Sequence, residues 1–276
     1  MKSIFDEVSI RCSEMITRRY STSFSLGIKF LDKQHHKPVY AIYGFVRLAD
    51  EIVDSFHDYN KEVLLDRFKR DTYLAIREKI SLNPVLNAFQ EVVNAYKIPL
   101  DLLESFLQSM EMDLADEQYN RSRYEQYILG SAESVGLMCL QVFVDGNPGA
   151  YEQLKGPAMK LGAAFQKVNF LRDIRADYYS LQRSYFPGLN PENFLDVDKK
   201  RIELEIESDF NAALSGIKAL PASVRKGVYL AYYYYLDLFR KIKNASSSDL
   251  MSKRIRISNG RKIYLMLQSI TTRRIG

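Results

Sequence analysis

Two stretches of this 276-residue sequence place acids one helical turn apart in surroundings that do not favour charge. "RLADEIVDSF" (47–56) carries Asp50, Glu51 and Asp54, and "NFLRDIRADYY" (169–179) carries Asp173 and Asp177. On a helix, residues i and i+4 share a face with Cβ atoms about 6 Å apart, so each pair aims two carboxylates the same way. A lone pair of this kind usually marks a solvated edge. Here the spacing occurs twice, each time among aromatic and apolar residues and each time beside an arginine, Arg47 and Arg172. Like charges at i,i+4 weaken a helix, and burying them costs far more unless cations compensate. Carboxylate oxygens suit Mg²⁺, a hard ion that keeps several waters and is held by one or two carboxylates plus substrate phosphates. The expected arrangement is metal at the mouth of an apolar cavity, with a diphosphate carrying a greasy tail as substrate.

Other polar residues fit that expectation. "RRYSTSFSLG" supplies Arg18, Arg19, Ser21 and Ser23 near a helix start, able to hold phosphate oxygens or simply to cap the helix. "AAFQKVNFLRD" sets Gln166, Asn169 and Asp173 on one face, and "RSYFP" adds Arg183 and Tyr185 in a segment able to fold over a diphosphate. The neighbours His35 and His36 point in different directions with no third ligand near, and read as loop residues rather than a metal pair.

The elements that must position these residues are helices. Apolar residues recur at three- and four-residue spacing, as in Leu102, Leu103, Phe106, Leu107 and Met110, with only 13 Gly and 8 Pro to interrupt them. Breaks are expected at "LDKQHHKP", "SLNP", "KIP", "VDGNPGA" and "FPGLNPEN". With no repeat and no linker-like tract, residues 1–276 read as one all-α domain. "YLAYYYYLDLF" (229–239) is aromatic almost all round, which fits a packed central helix or a cavity wall.

Composition narrows the function classes. The longest apolar stretch, Val135 to Val144, is about half of the ~20 residues that a membrane span needs. The N-terminus has acids at Asp6 and Glu7 and no signal-like apolar run. Cys12 and Cys139 lack metal-type spacing and are expected to stay reduced, so a cytoplasmic protein is expected. Net charge is +5, with seven Lys or Arg and no acid from Lys253 onward. That run suits a solvated helix face or attraction to phosphates, including an anionic inner-membrane surface met peripherally. No nucleic-acid reader motif is present.

The motifs together resemble the squalene and phytoene synthase family, most closely its bacterial phytoene synthases. In order they are "STSF", "AIYGFVRLADEIVD", "YILGSAESVG", "QKVNFLRDIRAD" and "RSYFP", spanning nearly the whole chain. The resemblance implies an isoprenoid synthase fold, helical around a central apolar cavity. It also implies head-to-head joining of two allylic diphosphates through a cyclopropyl diphosphate, in carotenoid biosynthesis. By the same resemblance Asp50, Asp54, Asp173 and Asp177, with Asn169, would hold Mg²⁺, or Mn²⁺ in its place. Phe24, Tyr43 and Tyr127 would line the cavity. Ser21, Ser23, Arg47, Gln166, Arg172, Tyr185 and Arg261 would lie around the diphosphate. Tyr43 and Arg47 join the four aspartates as expected catalytic residues.

Ser131, Glu133, Lys167, Val168 and Gln182 depart from the family pattern and are expected to alter the cavity's shape. The leading expectation is phytoene from two geranylgeranyl diphosphates, without NADPH. The near alternative joins two farnesyl diphosphates to dehydrosqualene, or to squalene with NADPH. A non-catalytic scaffold is the alternative of another class, and retention of all four aspartates speaks against it.

Overall fold

A computed structural model describes residues 1–115 and 119–258, and among these there are helices and no strand. The helices are α1 (Lys2–Tyr20), α2 (Thr22–Lys29), α3 (Lys33–Ser55), α4 (Lys61–Glu78), α5 (Pro84–Tyr96), α6 (Leu100–Met112) and α7 (Arg121–Ile128). A π-helical turn (Leu129–Glu133) then leads into α8 (Ser134–Phe143), α9 (Pro148–Leu181), α10 (Asp196–Ala219), α11 (Ala222–Lys243) and α12 (Ser247–Ser252).

Local chemistry sets many of the boundaries. Asn60, Asn83, Asn120 and Asn147 each accept a backbone N–H as N-caps of α4, α5, α7 and α9, and Pro84 and Pro148 follow two of them at the first helical position. Ser246 starts α12 with a capping box closed by Asp249. At the other ends, Lys79, Lys97 and Gln182 take the left-handed conformation that stops α4, α5 and α9.

One expected break is displaced. "LDKQHHKP" was read as a loop, yet α3 begins at Lys33, so His35, His36 and Pro38 are helical. Pro38 lies inside α3, in its second turn, where it offers no N–H to the carbonyl four residues back, while His36 Nε2 pairs with the Leu31 carbonyl at 2.8 Å and His35 is buried against Phe143.

Two layers of packing frame the interior. Phe45 of α3 stacks on Phe89 of α5 at 3.9 Å and on Phe68 of α4 at 5.3 Å, tying the first half of the chain together. In the second half α9 and α10 approach so closely that a Cβ on Gly216 would lie 2.2 Å from that of Pro157. A buried ionic cluster fixes the same pair: Lys167 Nζ lies 2.7 Å from Asp209 and 2.5 Å from Glu205, and Arg121 of α7 reaches Glu205 at 3.0 Å. The expected cavity lies between these halves.

Candidate active site

The cavity is about 980 Å³, at the upper end of the ~300–1,000 Å³ range of small-molecule sites. One end is charged and the remainder apolar. Asp50 and Asp54 reach it from the last turns of α3, Asp173 and Asp177 from the last turns of α9, as the i,i+4 spacing requires. Ser21, Ser23, Phe24, Tyr43, Arg47, Tyr127, Gln166, Asn169, Arg172 and Tyr185 line it too. The fold thus gathers every expected site residue except Arg261, which lies outside the described residues.

Arginines hold the acids in place. Arg47 bridges Asp50 and Glu51 from one turn below and stacks over the Tyr20 ring at 4.4 Å. Arg172 and Arg254 both pair with Asp173, at 2.5 Å and 2.6 Å. Arg183, just past the left-handed stop of α9, donates to Asp54 at 2.7 Å and to the Asp113 carbonyl at 2.9 Å. Asp113 in turn accepts the hydroxyls of Tyr127 at 2.7 Å and Tyr185 at 3.0 Å.

The carboxylates respond differently to this setting. Burial, with Asp54 next, pushes Asp50 up despite Arg47. Burial and then Asp173 and Asp54 push Asp177 up to about 8. Asp173 is buried as well, but Arg172 and Arg254 outweigh burial and hold it below the usual carboxylate range. Asp113 rises to about 6 through burial, opposed by Arg183 and Tyr127.

These residues fit a hard dication. The donors are carboxylate oxygens, two of them destabilised as anions, and the buried Asn169 Oδ1, which has no hydrogen-bond partner. Among the described residues no three acids converge as a ready-made metal cage.

Two groups at the charged end escape sequence reading. Asp113 follows α6 among other acids, Glu111, Asp116 and Glu117, and only its 2% side-chain exposure marks it out. Arg254 lies in the basic stretch read as a general phosphate attractor, yet it makes a specific two-point pair with Asp173. The departures from the family pattern also fall differently from expectation. Only Ser131 lines the cavity; Lys167 turns to Asp209 and Glu205, Lys160 and Lys167 attract the Glu133 carboxylate, and Gln182 is the left-handed stop of α9. Tyr234, Tyr235 and Leu238 of the aromatic run form cavity wall, while Tyr233 is 39% exposed.

The helical architecture has counterparts among known proteins. Residues 17–261 match the squalene/phytoene synthase family, and the chain belongs to it. It is thereby a prenyltransferase of the phytoene synthase type. A phytoene synthase of Cereibacter sphaeroides is 27% identical over 94% of this chain and 78% of its own length. One of Pseudescherichia vulneris is 26% identical over 90% of this chain and 86% of its own length. Among solved structures, a dehydrosqualene synthase in complex with ligand superposes with a TM-score of 0.81 at 24% identity, covering 96% of both chains.

Proposed function

We propose that the protein joins two geranylgeranyl diphosphates head to head, by way of a cyclopropyl diphosphate, to give phytoene. The observation that carries this reading is one cavity with diphosphate-binding chemistry at one end and a long apolar body behind it. Along α9 the lining runs from Asp173 to Leu154, about 28 Å at ~1.5 Å per residue.

The chemistry divides between the ends. Bound Mg²⁺ would act as a Lewis acid toward the departing diphosphate. Asp50, Asp54, Asp173 and Asp177, with Asn169, are the residues that would hold it. Arg47, Arg172 and Arg254 offer guanidinium donors to phosphate oxygens, with the Ser21 and Ser23 hydroxyls beside them. Ser21 also caps α2, accepting the Phe24 N–H at 3.1 Å, so the capping reading of that serine holds together with its place in the lining.

Ionisation leaves an allylic cation, and aromatic faces stand around it. Phe24 and Tyr43 lie 5.3 Å apart, and Phe170 and Tyr185 stack at 4.0 Å. Burial pushes Tyr43 up to about 12 and the Cys139 thiol likewise, so both stay neutral and present no anionic nucleophile to trap the cation. Apolar walls exclude water, the other trap. Each of the two steps releases one diphosphate and one proton, so phytoene forms without a reductant.

The test is incubation of purified protein with Mg²⁺ and either geranylgeranyl or farnesyl diphosphate, without NADPH, followed by mass analysis. A C40 hydrocarbon is expected. A C30 product alone would replace this reading with dehydrosqualene formation, the alternative favoured by the fold's likeness to a dehydrosqualene synthase. No product from either would return the scaffold reading. Peripheral contact with an anionic membrane is proposed for product release; no helix among the described residues is long and apolar enough to cross one.

A further inference from the structure

The apolar end of the cavity has a graded depth that α9 measures. Three main-chain bonds of an extended chain span about 3.6 Å, or about 1.2 Å per bond, so a geranylgeranyl main chain reaches about 19 Å and a farnesyl one about 14 Å. The extra isoprene unit, about 5 Å, equals one helical turn of ~5.4 Å. Laid along α9 from between Asp173 and Asn169, a C15 tail would end near positions 164 to 160, and a C20 tail near positions 160 to 156, at ~1.5 Å per residue.

One turn of α9 would therefore separate the two substrates, and small residues stand there among the bulkier Leu154, Leu161 and Ile217. Pro157 and Ala158 line the cavity there. Gly216 of α10 faces Pro157, with no room for a Cβ between them. Gly136 of α8 faces the Ala158 carbonyl, with 3.2 Å left for a Cβ. Ala213 lies one turn before Gly216 on α10, fully buried and also lining the cavity. Nearer the mouth the walls are bulkier, with Phe165 stacked on Tyr235 at 4.0 Å.

We infer that Ala158 and Ala213 are specificity-determining residues: their small side chains hold open the turn of cavity that the fourth isoprene unit occupies. The inference rests on the geranylgeranyl reading proposed above. Substituents at these positions shorten the accepted tail without touching the charged end. Gly216 is no substitute for this purpose, because any side chain there displaces Pro157.

Competing geranylgeranyl and farnesyl diphosphates, with kcat/KM for each, test it on Ala158→Phe and Ala213→Phe. The expected result is a shift of the selectivity ratio toward farnesyl diphosphate by roughly 10–200-fold, the range that apolar pockets achieve over small changes in fit. Val46→Phe, one turn below Asp50 on α3, is expected to lower both substrates together. Far-ultraviolet circular dichroism and thermal midpoints establish that the variants fold, and the second alanine serves if the first does not. Wild-type turnover of geranylgeranyl diphosphate with an unchanged ratio in a folded variant overturns the inference and leaves the proposed function intact. Wild-type turnover of farnesyl diphosphate alone, or of neither, overturns the proposed function itself.

Discussion

The two aspartate pairs share a spacing and differ in their company. On α3, Arg47 divides its contacts between Asp50 and Glu51, and Asp54 is held from across the cavity by Arg183. On α9, Asp173 takes two arginines, Arg172 and Arg254, while burial and neighbouring acids push Asp177 up to about 8. On α3 each carboxylate thus has an arginine, although burial and Asp54 still push Asp50 up, whereas on α9 both arginine pairs go to Asp173. Asp177 also feels Asp54 of the opposite pair, so the two motifs form one electrostatic unit. A dication between them would relieve Asp50 and Asp177, the two carboxylates that burial and neighbouring acids push up.

Removing the least compensated acid breaks this comparison most severely. Asp177→Asn is expected to lower turnover by at least about a hundredfold, the scale of losing a main electrostatic group at a developing charge. The same substitution is expected to raise the thermal midpoint of the metal-free protein at pH 8, because it removes a carboxylate whose charged form burial, Asp173 and Asp54 disfavour more than Arg183 favours it. Steady-state kinetics and calorimetry read the two effects separately. A variant that is both active and less stable would show that Asp177 belongs to the scaffold. Asp50→Asn and Asp173→Asn are expected to lose turnover on a similar scale with the fold retained.

Arg183 comes next, since it holds the α3 pair from outside. Its side chain is 13% exposed and meets Asp54, Asp113 and two backbone carbonyls. Arg183→Met leaves Asp113 buried beside tyrosines alone, and breaking a buried ion pair costs about 3–5 kcal/mol. Denaturant unfolding would detect that loss. Unchanged stability would place the weight of this junction on the Asp113–tyrosine hydrogen bonds instead.

Arg254 sharpens the comparison on the α9 side. It is 48% exposed, so its pair with Asp173 contributes little to stability. Arg254→Met is expected to raise KM for the diphosphate substrate about tenfold, the scale of one lost charge-assisted hydrogen bond, with the thermal midpoint nearly unchanged. An unaltered KM would leave Arg254 as a partner of Asp173 only.

The acid pairs were legible in the sequence because both members of each lie on one helix, where a fixed period converts spacing into direction. The shared face of Gln166, Asn169 and Asp173 follows from the same period, whereas Tyr43 was placed in the cavity wall by the family resemblance alone. Asp113 and Arg254 were not legible. Asp113 meets Tyr127 and Tyr185, 14 and 72 positions away, and Arg254 meets Asp173 81 positions away, and no local pattern announces contacts at that range. The start of α3 was misplaced for a local reason, since proline and paired histidines imitate a turn while Asp32 and the helical geometry behind it favour a helix.

Lys167 shows the same limit on the opposite side of α9. Read in sequence, it stands between Gln166 and Asn169 as a charge that ought to disturb the cavity. In the fold it points away from the cavity, 7% exposed, between Asp209 and Glu205 of α10. Lys167→Met strands buried Asp209 and partly exposed Glu205, which among the described residues Lys160 at 3.3 Å and Arg121 at 3.0 Å still approach. A stability loss of about 3–5 kcal/mol is expected, as for other buried pairs broken on one side. Activity per folded molecule is expected to change least among these variants, because the ammonium touches no cavity group. A selective loss of kcat at undiminished stability would mean that the cluster sets the rotation of α9, and with it the aim of Asn169 and Asp173.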